Sequence, residues 1–301
     1  MRLLALKIDV DTYRGTCVGV PHLLEILNRY GAGATFLFSL GPDHTGRAVR
    51  RALRPGFMKK VSRTSVLEHY GLKTLLYGTL LPGPDIAKKC ATILRSVAAA
   101  GFETGIHTYD HVKWQDNVVN QSSAWTLREM NLAYQAYQTV FGDKPATHGA
   151  AGWQMNDAAY LQEQRWEMAY CSDCRGTHPF IPLFGNGLSS CPQLPTTLPT
   201  LDELIGVDDI DNDNVADAIL AMTAPESSTG HVYTLHAELE GMKLAPVFEQ
   251  LLLGWQKQGY QLVSLADYYA ALDLNLLPSQ AVIQGSIAGR SGTLAMQSVN
   301  A

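Results

Sequence analysis

The sequence predicts an α/β fold and, within that class, a closed or nearly closed barrel. Short apolar segments typical of strands alternate with segments of helical apolar spacing along nearly all of the 301 residues, and this alternation implies a parallel sheet. Aspartate or histidine follows directly after several of the strands. In a parallel barrel those strand ends gather on one face, where barrel enzymes place their catalytic residues. No linker interrupts the pattern, so we expect one domain over residues 1–301.

The predicted strands and helices alternate along the chain. Strands are predicted at 3–8, 34–40, 102–106, 168–172, 231–235 and 262–263. Helices are predicted at 19–30, 84–100, 123–141, 246–258 and 267–272. Glycine follows the end of four of these helices, as it commonly does: Gly31, Gly101, Gly142 and Gly259.

Composition and charge exclude several classes of protein. The chain is 46% hydrophobic and 17% charged, which suits a globular protein, and its net charge of -5 gives no overall signal for nucleic acid. The apolar N-terminal segment is too short for a signal peptide, and no run approaches the roughly 20 apolar residues of a spanning helix. We therefore expect a cytoplasmic protein with free thiols. Cys171 and Cys174 have CxxC spacing, but no second pair completes a zinc site.

The polar residues at the strand ends have the composition of a catalytic metal site. Asp9 and Asp11 follow the first strand, His107 and His111 follow the third, and His236 follows the strand at 231–235. Each of these motifs alone is weak evidence for a functional site, because acidic pairs often cap helices and single histidines are often structural. Together, two imidazoles and a carboxylate bind a metal ion and leave room for water. A second carboxylate can then accept a proton and a further histidine can donate one.

These three motifs resemble those of the NodB-type polysaccharide deacetylases, carbohydrate esterase family 4. The resemblance implies a distorted (β/α) barrel that hydrolyses N-acyl groups of sugars with one divalent metal ion. By resemblance, Asp9 is the catalytic base, His236 is the general acid, and the metal ligands are Asp11, His107 and His111. We expect Zn²⁺, with Mn²⁺ or Co²⁺ as alternatives.

Longer segments resemble one branch of this family, the deformylases of undecaprenyl-phosphate-linked 4-deoxy-4-formamido-L-arabinose. These segments include IDVDTYRGT, GIHTYDHVKWQ, YCSDCRG, YTLHAELEG and IAGR. The branch implies a lipid-linked sugar substrate at the cytoplasmic face of the inner membrane, in lipid A modification and polymyxin resistance. The alternatives are an N-deacetylase of another amido-sugar or cell-wall glycan, and a non-catalytic sugar-binding relative.

One family motif is missing. Many members carry an arginine that orients the base, whereas residues 148–153 contain none. We expect Arg175 to replace it beside Asp9 and Asp173 to orient His236, with a surface salt bridge of Asp173 as the alternative.

Three more residues near the motifs have open roles. Asp110 should point to solvent or cap a turn. Trp114 and Trp153 should either stack on the sugar or lie in the core.

An insertion at about 42–83 separates two barrel elements and is locally basic. Basic residues mixed with apolar ones predict an element that lies on an anionic membrane surface, and a solvated helix face or an RNA-binding patch is the alternative. The basic residues concerned are Arg50, Arg51, Arg54, Lys59 and Lys60. The sequence assigns no role to the tail at about 281–301 and no oligomeric state.

Overall fold

The computed structural model describes residues 2–48, 71–184, 187–188, 191–290 and 292–298. The basic residues of the insertion, Arg50, Arg51, Arg54, Lys59 and Lys60, lie outside this part of the chain.

The strands form two sheets. One is a parallel sheet that contains β1, β2, β3, β6 and β7, and the other is a smaller sheet of β4, β5, β8 and β9. The strand bounds are β1 Arg2–Val10, β2 Thr35–Ser39, β3 Glu103–Thr108, β4 Ile181–Phe184, β5 Gly187–Leu188, β6 His231–His236, β7 Tyr260–Val263, β8 Ser279–Gly285 and β9 Leu294–Gln297.

The helices follow the strands of the parallel sheet and pack around it. Their bounds are α1 Val20–Tyr30, α2 Leu72–Leu76, α3 Ile86–Ala99, α4 His111–Asn117, α5 Ser123–Phe141, α6 Asp157–Arg165, α7 Leu201–Leu204, α8 Val215–Thr223, α9 Ala245–Lys257 and α10 Leu265–Ala270. None of the helices in the described ranges is both long and apolar enough to cross a membrane.

Strand β1 is the centre of the parallel sheet, and its two sides are paired differently. On one side β6 pairs with residues 4–9. On the other side β7 pairs with residues 2–5 and β2 pairs with residues 7–10, so the sheet forks along β1. Because β1 is buried on both faces, its sequence is an almost continuous apolar run rather than an alternation.

The barrel wall beyond β3 is closed by three extended segments, 147–149, 171–174 and 193–197. The backbone N–H of Ser172 donates to the His148 carbonyl at 2.8 Å, and that of Leu194 donates to the Cys171 carbonyl at 2.8 Å. Thr197 N–H donates to the Val232 carbonyl of β6 at 3.0 Å and completes the ring. Single hydrogen bonds and isolated bridges, such as Ile106–His148 and Cys171–Gln193, join these segments instead of ladders. The expected distorted (β/α) barrel is therefore confirmed, but the strand predicted at 168–172 is wrong.

The C-terminal tail is part of the packed structure. Strand β9 pairs antiparallel with β8, and Leu294 and Ala295 are fully or almost fully buried. Arg175 N–H donates to the Ala295 carbonyl at 2.9 Å, and Gln297 N–H donates to the Arg175 carbonyl at 2.7 Å. The tail thus joins the smaller sheet to the irregular side of the barrel.

Candidate metal-dependent active site

The ends of β1, β3 and β6 bring the five residues of the strand-end motifs together. Asp9 lies near the end of β1 and is paired in register with His236 of β6. Asp11 follows β1 directly, His107 lies near the end of β3, and His111 begins α4. Parallel pairing brings these strand ends to one edge of the sheet, as the sequence predicts.

Asp11, His107 and His111 have the geometry of a ligand set. The Nε2 atoms of His107 and His111 lie 3.2 and 3.4 Å from Asp11 Oδ1, and the three ligand atoms lie within 4.8 Å of one another. His107 Nδ1 donates to the Gly149 carbonyl at 2.5 Å, which leaves the lone pair of the neutral ring on Nε2.

The polar atoms of this group fit a divalent cation. Asp11 Oδ1 is buried and has no hydrogen-bond partner within the described residues. A carboxylate oxygen and an imidazole lone pair that face each other repel unless a cation lies between them. Two histidines and one carboxylate are also a set that leaves coordination positions open for water and substrate.

The charges around Asp11 keep it ionised. Burial raises the pKa of its carboxyl, but the nearby imidazoles of His111, His107 and His236 outweigh burial, so the pKa lies well below its usual range. An ionised carboxylate is the form that binds a metal ion.

Comparison with known proteins agrees with this geometry. The family model for polysaccharide deacetylase matches residues 14–170, which is slightly more than half of the chain. The chain belongs to the polysaccharide deacetylase family.

The relatives extend the match over almost the whole chain. A probable 4-deoxy-4-formamido-L-arabinose-phosphoundecaprenol deformylase of Shewanella sediminis is 41% identical over 97% of this chain and 93% of its own length. A protein of the same name from Wigglesworthia glossinidia brevipalpis is 34% identical over 94% of this chain and 98% of its own length.

A solved structure shares the fold. It comes from Mycobacterium smegmatis and carries the name of a polysaccharide deacetylase. It superposes with a TM-score of 0.63 at 15% identity and covers 95% of this chain and 96% of its own. Polysaccharide deacetylases of carbohydrate esterase family 4 are metalloenzymes.

A lysine, and not the expected arginine, lies beside Asp9. Lys7 Nζ lies 3.0 Å from Asp9 Oδ2, and both side chains are buried. Lys7 precedes Asp9 by two residues on β1, so both side chains point to the same face of the sheet. A lysine within the otherwise apolar run LLALKI was the available signal, and the sequence analysis missed it.

The expectation that Arg175 orients Asp9 is wrong. Arg175 Nη1 donates to both carboxylate oxygens of Glu203 at 2.8 Å, and Nη2 donates to the Leu198 carbonyl at 3.0 Å. The segment at 171–174 lies in the irregular wall, which places the Arg175 guanidinium against α7 instead of against Asp9.

Asp173 does not orient His236 either. It is fully buried, and its Oδ1 lies 2.7 Å from His148 Nδ1 and accepts from Ala150 N–H at 2.8 Å. The surface salt bridge is wrong for the same reason, since Asp173 has no exposed surface. The burial of His236 lowers its pKa, but the charges of Asp11, Asp202, Glu240 and Asp9 outweigh burial and raise it. Other acids therefore favour the protonated imidazole.

A buried acid that the sequence analysis missed holds the Asp11 backbone. Glu238 Oε1 accepts from Asp11 N–H at 3.1 Å and from Thr12 N–H and Oγ1–H at 2.8 Å. A Cβ at Gly15 would lie 1.9 Å from that oxygen, so only glycine fits there. The acid follows His236 by two residues in HAELEG, which was the local signal.

A buried triad lies behind the three proposed metal ligands. It consists of His148, Asp173 and Glu163. His148 Nδ1 also lies 2.8 Å from Glu163 Oε1. Burial lowers the pKa of His148, but both acids outweigh it and raise the pKa to about 10. Burial and the charge of Asp173 raise the pKa of Glu163 to about 8. The triad fixes the backbone of residues 148–150. Within this segment, the Gly149 carbonyl accepts the hydrogen bond from His107 Nδ1.

The two tryptophans are core residues, so of their two predicted roles the core is confirmed and stacking on the sugar is wrong. Trp114 and Trp153 are each 2% exposed. Trp114 Nε1–H donates to the Gln154 carbonyl at 2.8 Å, and Trp153 Nε1–H donates to Thr196 Oγ1 at 3.1 Å.

Asp110 caps a helix, as one of its two predicted roles required. Its Oδ1 accepts from Lys113 N–H at 3.1 Å at the start of α4, and its Oδ2 lies 2.6 Å from His44 Nδ1. Asp110 is 4% exposed, so it does not point to solvent. The cap and the histidine fix the start of the helix that carries His111.

Proposed function

We propose that the chain is a metal-dependent amide hydrolase that removes the N-formyl group from undecaprenyl-phosphate-linked 4-deoxy-4-formamido-L-arabinose. The product is the 4-amino-4-deoxy sugar used for lipid A modification and resistance to polymyxin. Two named deformylases that align over nearly the full length support this substrate. The observation that carries the chemistry is the group of Asp11, His107 and His111 beside Asp9 and His236.

The proposed metal ligands are Asp11, His107 and His111. A divalent ion bound there supplies Lewis acidity, because it polarises the formyl carbonyl and lowers the pKa of a water molecule. Zn²⁺ suits two imidazoles and one carboxylate, and Mn²⁺ and Co²⁺ are the alternatives.

Asp9 and His236 perform the proton transfers. Lys7 holds Asp9 through Oδ2, while Oδ1 is buried without a hydrogen-bond partner in the described ranges. Asp9 Oδ1 therefore accepts the proton of the attacking water. His236 donates a proton to the sugar nitrogen as the C–N bond breaks, which releases formate and the amino sugar.

Mass spectrometry of the lipid-linked sugar tests the activity. Purified protein with a divalent metal should convert the formamido sugar to the amino sugar. Asp9→Asn and His236→Ala should retain the metal but turn over about 10²–10⁴-fold more slowly. Hydrolysis of the acetamido sugar at an equal rate would show an N-deacetylase of broader scope. Full turnover by His236→Ala would remove that residue from the mechanism.

The substrate's lipid tail requires the protein to work at a membrane surface, and we propose that the insertion at 42–83 docks there on the cytoplasmic face. In the part of the insertion that the structure describes, Leu72 and Leu80 are 67% and 81% exposed. A Cβ at Gly78 would lie 2.7 Å from the imidazole of His44, which contacts Asp110 at the start of α4. The exposed leucines therefore lie on a segment that reaches the active-site side of the barrel.

Vesicle sedimentation tests the docking. The insertion variant in which Gln replaces Arg50, Arg51, Arg54, Lys59 and Lys60 should no longer bind anionic vesicles. Rising salt should release the unchanged protein from the same vesicles. Hydrolysis of a short water-soluble analogue should stay almost unchanged, while the KM for the lipid substrate rises. Full sedimentation of the variant would show that the basic residues are not the anchor.

A further inference from the structure

Two cysteines meet beside the turn that follows the proposed metal ligand Asp11. Cys17 lies in a single turn of π-helix at Gly15–Gly19, and Cys90 lies in α3. Their Sγ atoms are 3.4 Å apart. At this distance small side-chain rotations suffice to form a disulfide, provided that the backbone keeps the two residues together.

The backbone on both sides of the pair is held in place. A Cβ at Gly15 would lie 1.9 Å from Glu238 Oε1, and a Cβ at Gly19 would lie 2.0 Å from the Ala237 carbonyl oxygen. The turn that carries Cys17 is therefore packed closely against residues 237–238. Cys90 lies on the face of α3 that is buried in the main hydrophobic core. The two sulfur atoms thus face each other from two fixed elements.

The two thiols differ in their access to solvent. Cys17 is partly exposed, whereas Cys90 is 1% exposed. Burial raises the pKa of the Cys90 thiol, and the contact with Cys17 raises it further. Peroxides react with the thiolate of an accessible cysteine. Cys17 is therefore the residue that an oxidant in solution reaches first.

A second pair of cysteines has nearly the same spacing but is buried. The Sγ atoms of Cys171 and Cys191 are 3.5 Å apart, and the two residues are 0% and 1% exposed. Burial raises the pKa of the Cys171 thiol well above its usual range, which keeps it in the unreactive protonated form. Because the sulfur–sulfur distances of the two pairs agree, exposure is the property that distinguishes them.

We propose that Cys17 and Cys90 form a redox modification site that hydrogen peroxide converts to a disulfide. The Cys17 thiolate attacks the peroxide, and the O–O bond breaks to give a sulfenic acid at Cys17 and hydroxide. The Cys90 sulfur then displaces the hydroxyl group from Cys17, and the thiol proton of Cys90 leaves with it as water. In sum, two thiols are oxidised to one disulfide, and one hydrogen peroxide is reduced to two molecules of water.

The disulfide links the turn after Asp11 to the helix that follows the insertion at 42–83. Residues 17–90 then form a closed loop that contains the whole insertion. A cross-link over a loop of this length constrains the unfolded chain and so stabilises the folded one. Oxidation should therefore raise the urea concentration at the midpoint of unfolding.

Peptide mapping after oxidation tests the proposal. The full chain is treated with hydrogen peroxide, unfolded in iodoacetamide, digested and analysed by mass spectrometry. The expected product is a cross-linked peptide pair that contains Cys17 and Cys90 and that dithiothreitol separates. Cys171 and Cys191 are the matched control and should be recovered as alkylated thiols. The urea midpoint of the same sample should rise on oxidation and return to its first value with dithiothreitol.

Single variants test the order of the two steps. In Cys90→Ala, peroxide should leave a sulfenic acid at Cys17 that dimedone labels, and the urea midpoint should not rise. In Cys17→Ala, Cys90 should stay unlabelled, because burial keeps it from the oxidant. Labelling of Cys90 in this variant, without labelling of Cys17 in the other, would overturn the assignment of Cys17 as the reacting thiol.

Three results with the unchanged protein would overturn the proposal, whether or not the variants fold. One is recovery of Cys17 and Cys90 as unmodified thiols, and another is oxidation of Cys17 to a sulfinic acid without a link to Cys90. The third is a link between Cys171 and Cys191 that forms as fast as the proposed one, since exposure would then not select the pair. None of these measurements requires turnover, so they do not depend on the proposed function.

Discussion

The two halves of the barrel wall differ in regularity. Strands β6, β1, β2 and β3 are joined by parallel ladders, whereas the segments 147–149, 171–174 and 193–197 are joined by isolated bridges and single hydrogen bonds. The regular half carries or directly precedes all five residues of the proposed chemistry. The irregular half carries the buried polar groups behind them, among them His148 and Asp173. Where the ladder is missing, side-chain hydrogen bonds fix the backbone instead.

The largest effect should come from removing a metal ligand in the regular half. Asp11→Ala, His107→Ala and His111→Ala should each abolish metal retention, because two remaining ligands hold a divalent ion poorly. The fold should be kept, since the strand ladders do not depend on these side chains. Elemental analysis together with circular dichroism measures both properties.

An exposed acid supplies the control for that experiment. Asp213 is exposed in the loop before α8 and belongs to none of the strand-end motifs, so Asp213→Ala should retain the metal fully. Full metal occupancy in the His111→Ala protein would show that His111 is not a ligand.

A smaller effect on the same metal should come from the irregular half. Asp173→Asn should loosen residues 148–150 and with them the Gly149 carbonyl that fixes the His107 tautomer. Loss of a residue that orients a metal ligand without binding the metal itself typically weakens metal binding about 10–100-fold. Competition with a chelator measures the dissociation constant, and the absorption spectrum of the Co²⁺ protein reports ligand geometry.

Glu163 is the matched control for Asp173. The pKa of its carboxyl is raised to about 8, so it is largely protonated at neutral pH, and Glu163→Gln should keep both shape and charge. Metal affinity should then change by only a few-fold. An equal loss in the two variants would mean that the triad acts on overall stability and not on His107.

The same division explains what the sequence could predict. Apolar runs that end in polar residues are local signals, so the strand ends with Asp9, His107 and His236 were predictable. The partner of Asp173 is not a local property, because His148 and Glu163 meet it only through the irregular wall. The sequence also does not indicate whether an aromatic residue in a loop is exposed or buried.

Charge gave a similarly partial signal. Lys7 stands out in the sequence as a charged residue within a buried strand, but the family motif predicted an arginine as the residue that orients the base. The smaller sheet and α6 were not predicted, since their segments lack a clear apolar period and are polar in part.

The smallest expected effect is a pH dependence of stability that arises in the irregular half. The pKa of His148 is raised to about 10 from an unfolded value of 6.5, so its contribution to stability is full below pH 6.5 and is lost as the pH rises towards 10. The raised pKa of Glu163 acts in the same direction up to about pH 8, because ionisation of the buried carboxyl is unfavourable. The folded state therefore binds more protons than the unfolded state, and the free energy of unfolding should fall with rising pH.

Urea unfolding between pH 7 and 9, with chelator present to remove the pH dependence of metal binding, measures this slope. It should reach at most about 1.4 kcal/mol per pH unit for each proton. Glu238 and Glu240 titrate in the same direction, since burial raises the pKa of their carboxyls to about 8 and about 7. The decisive quantity is therefore the difference from His148→Gln, whose slope should be shallower. Parallel curves for the two proteins would show that His148 is not protonated in the folded state, and the irregular half would then be held by neutral hydrogen bonds alone.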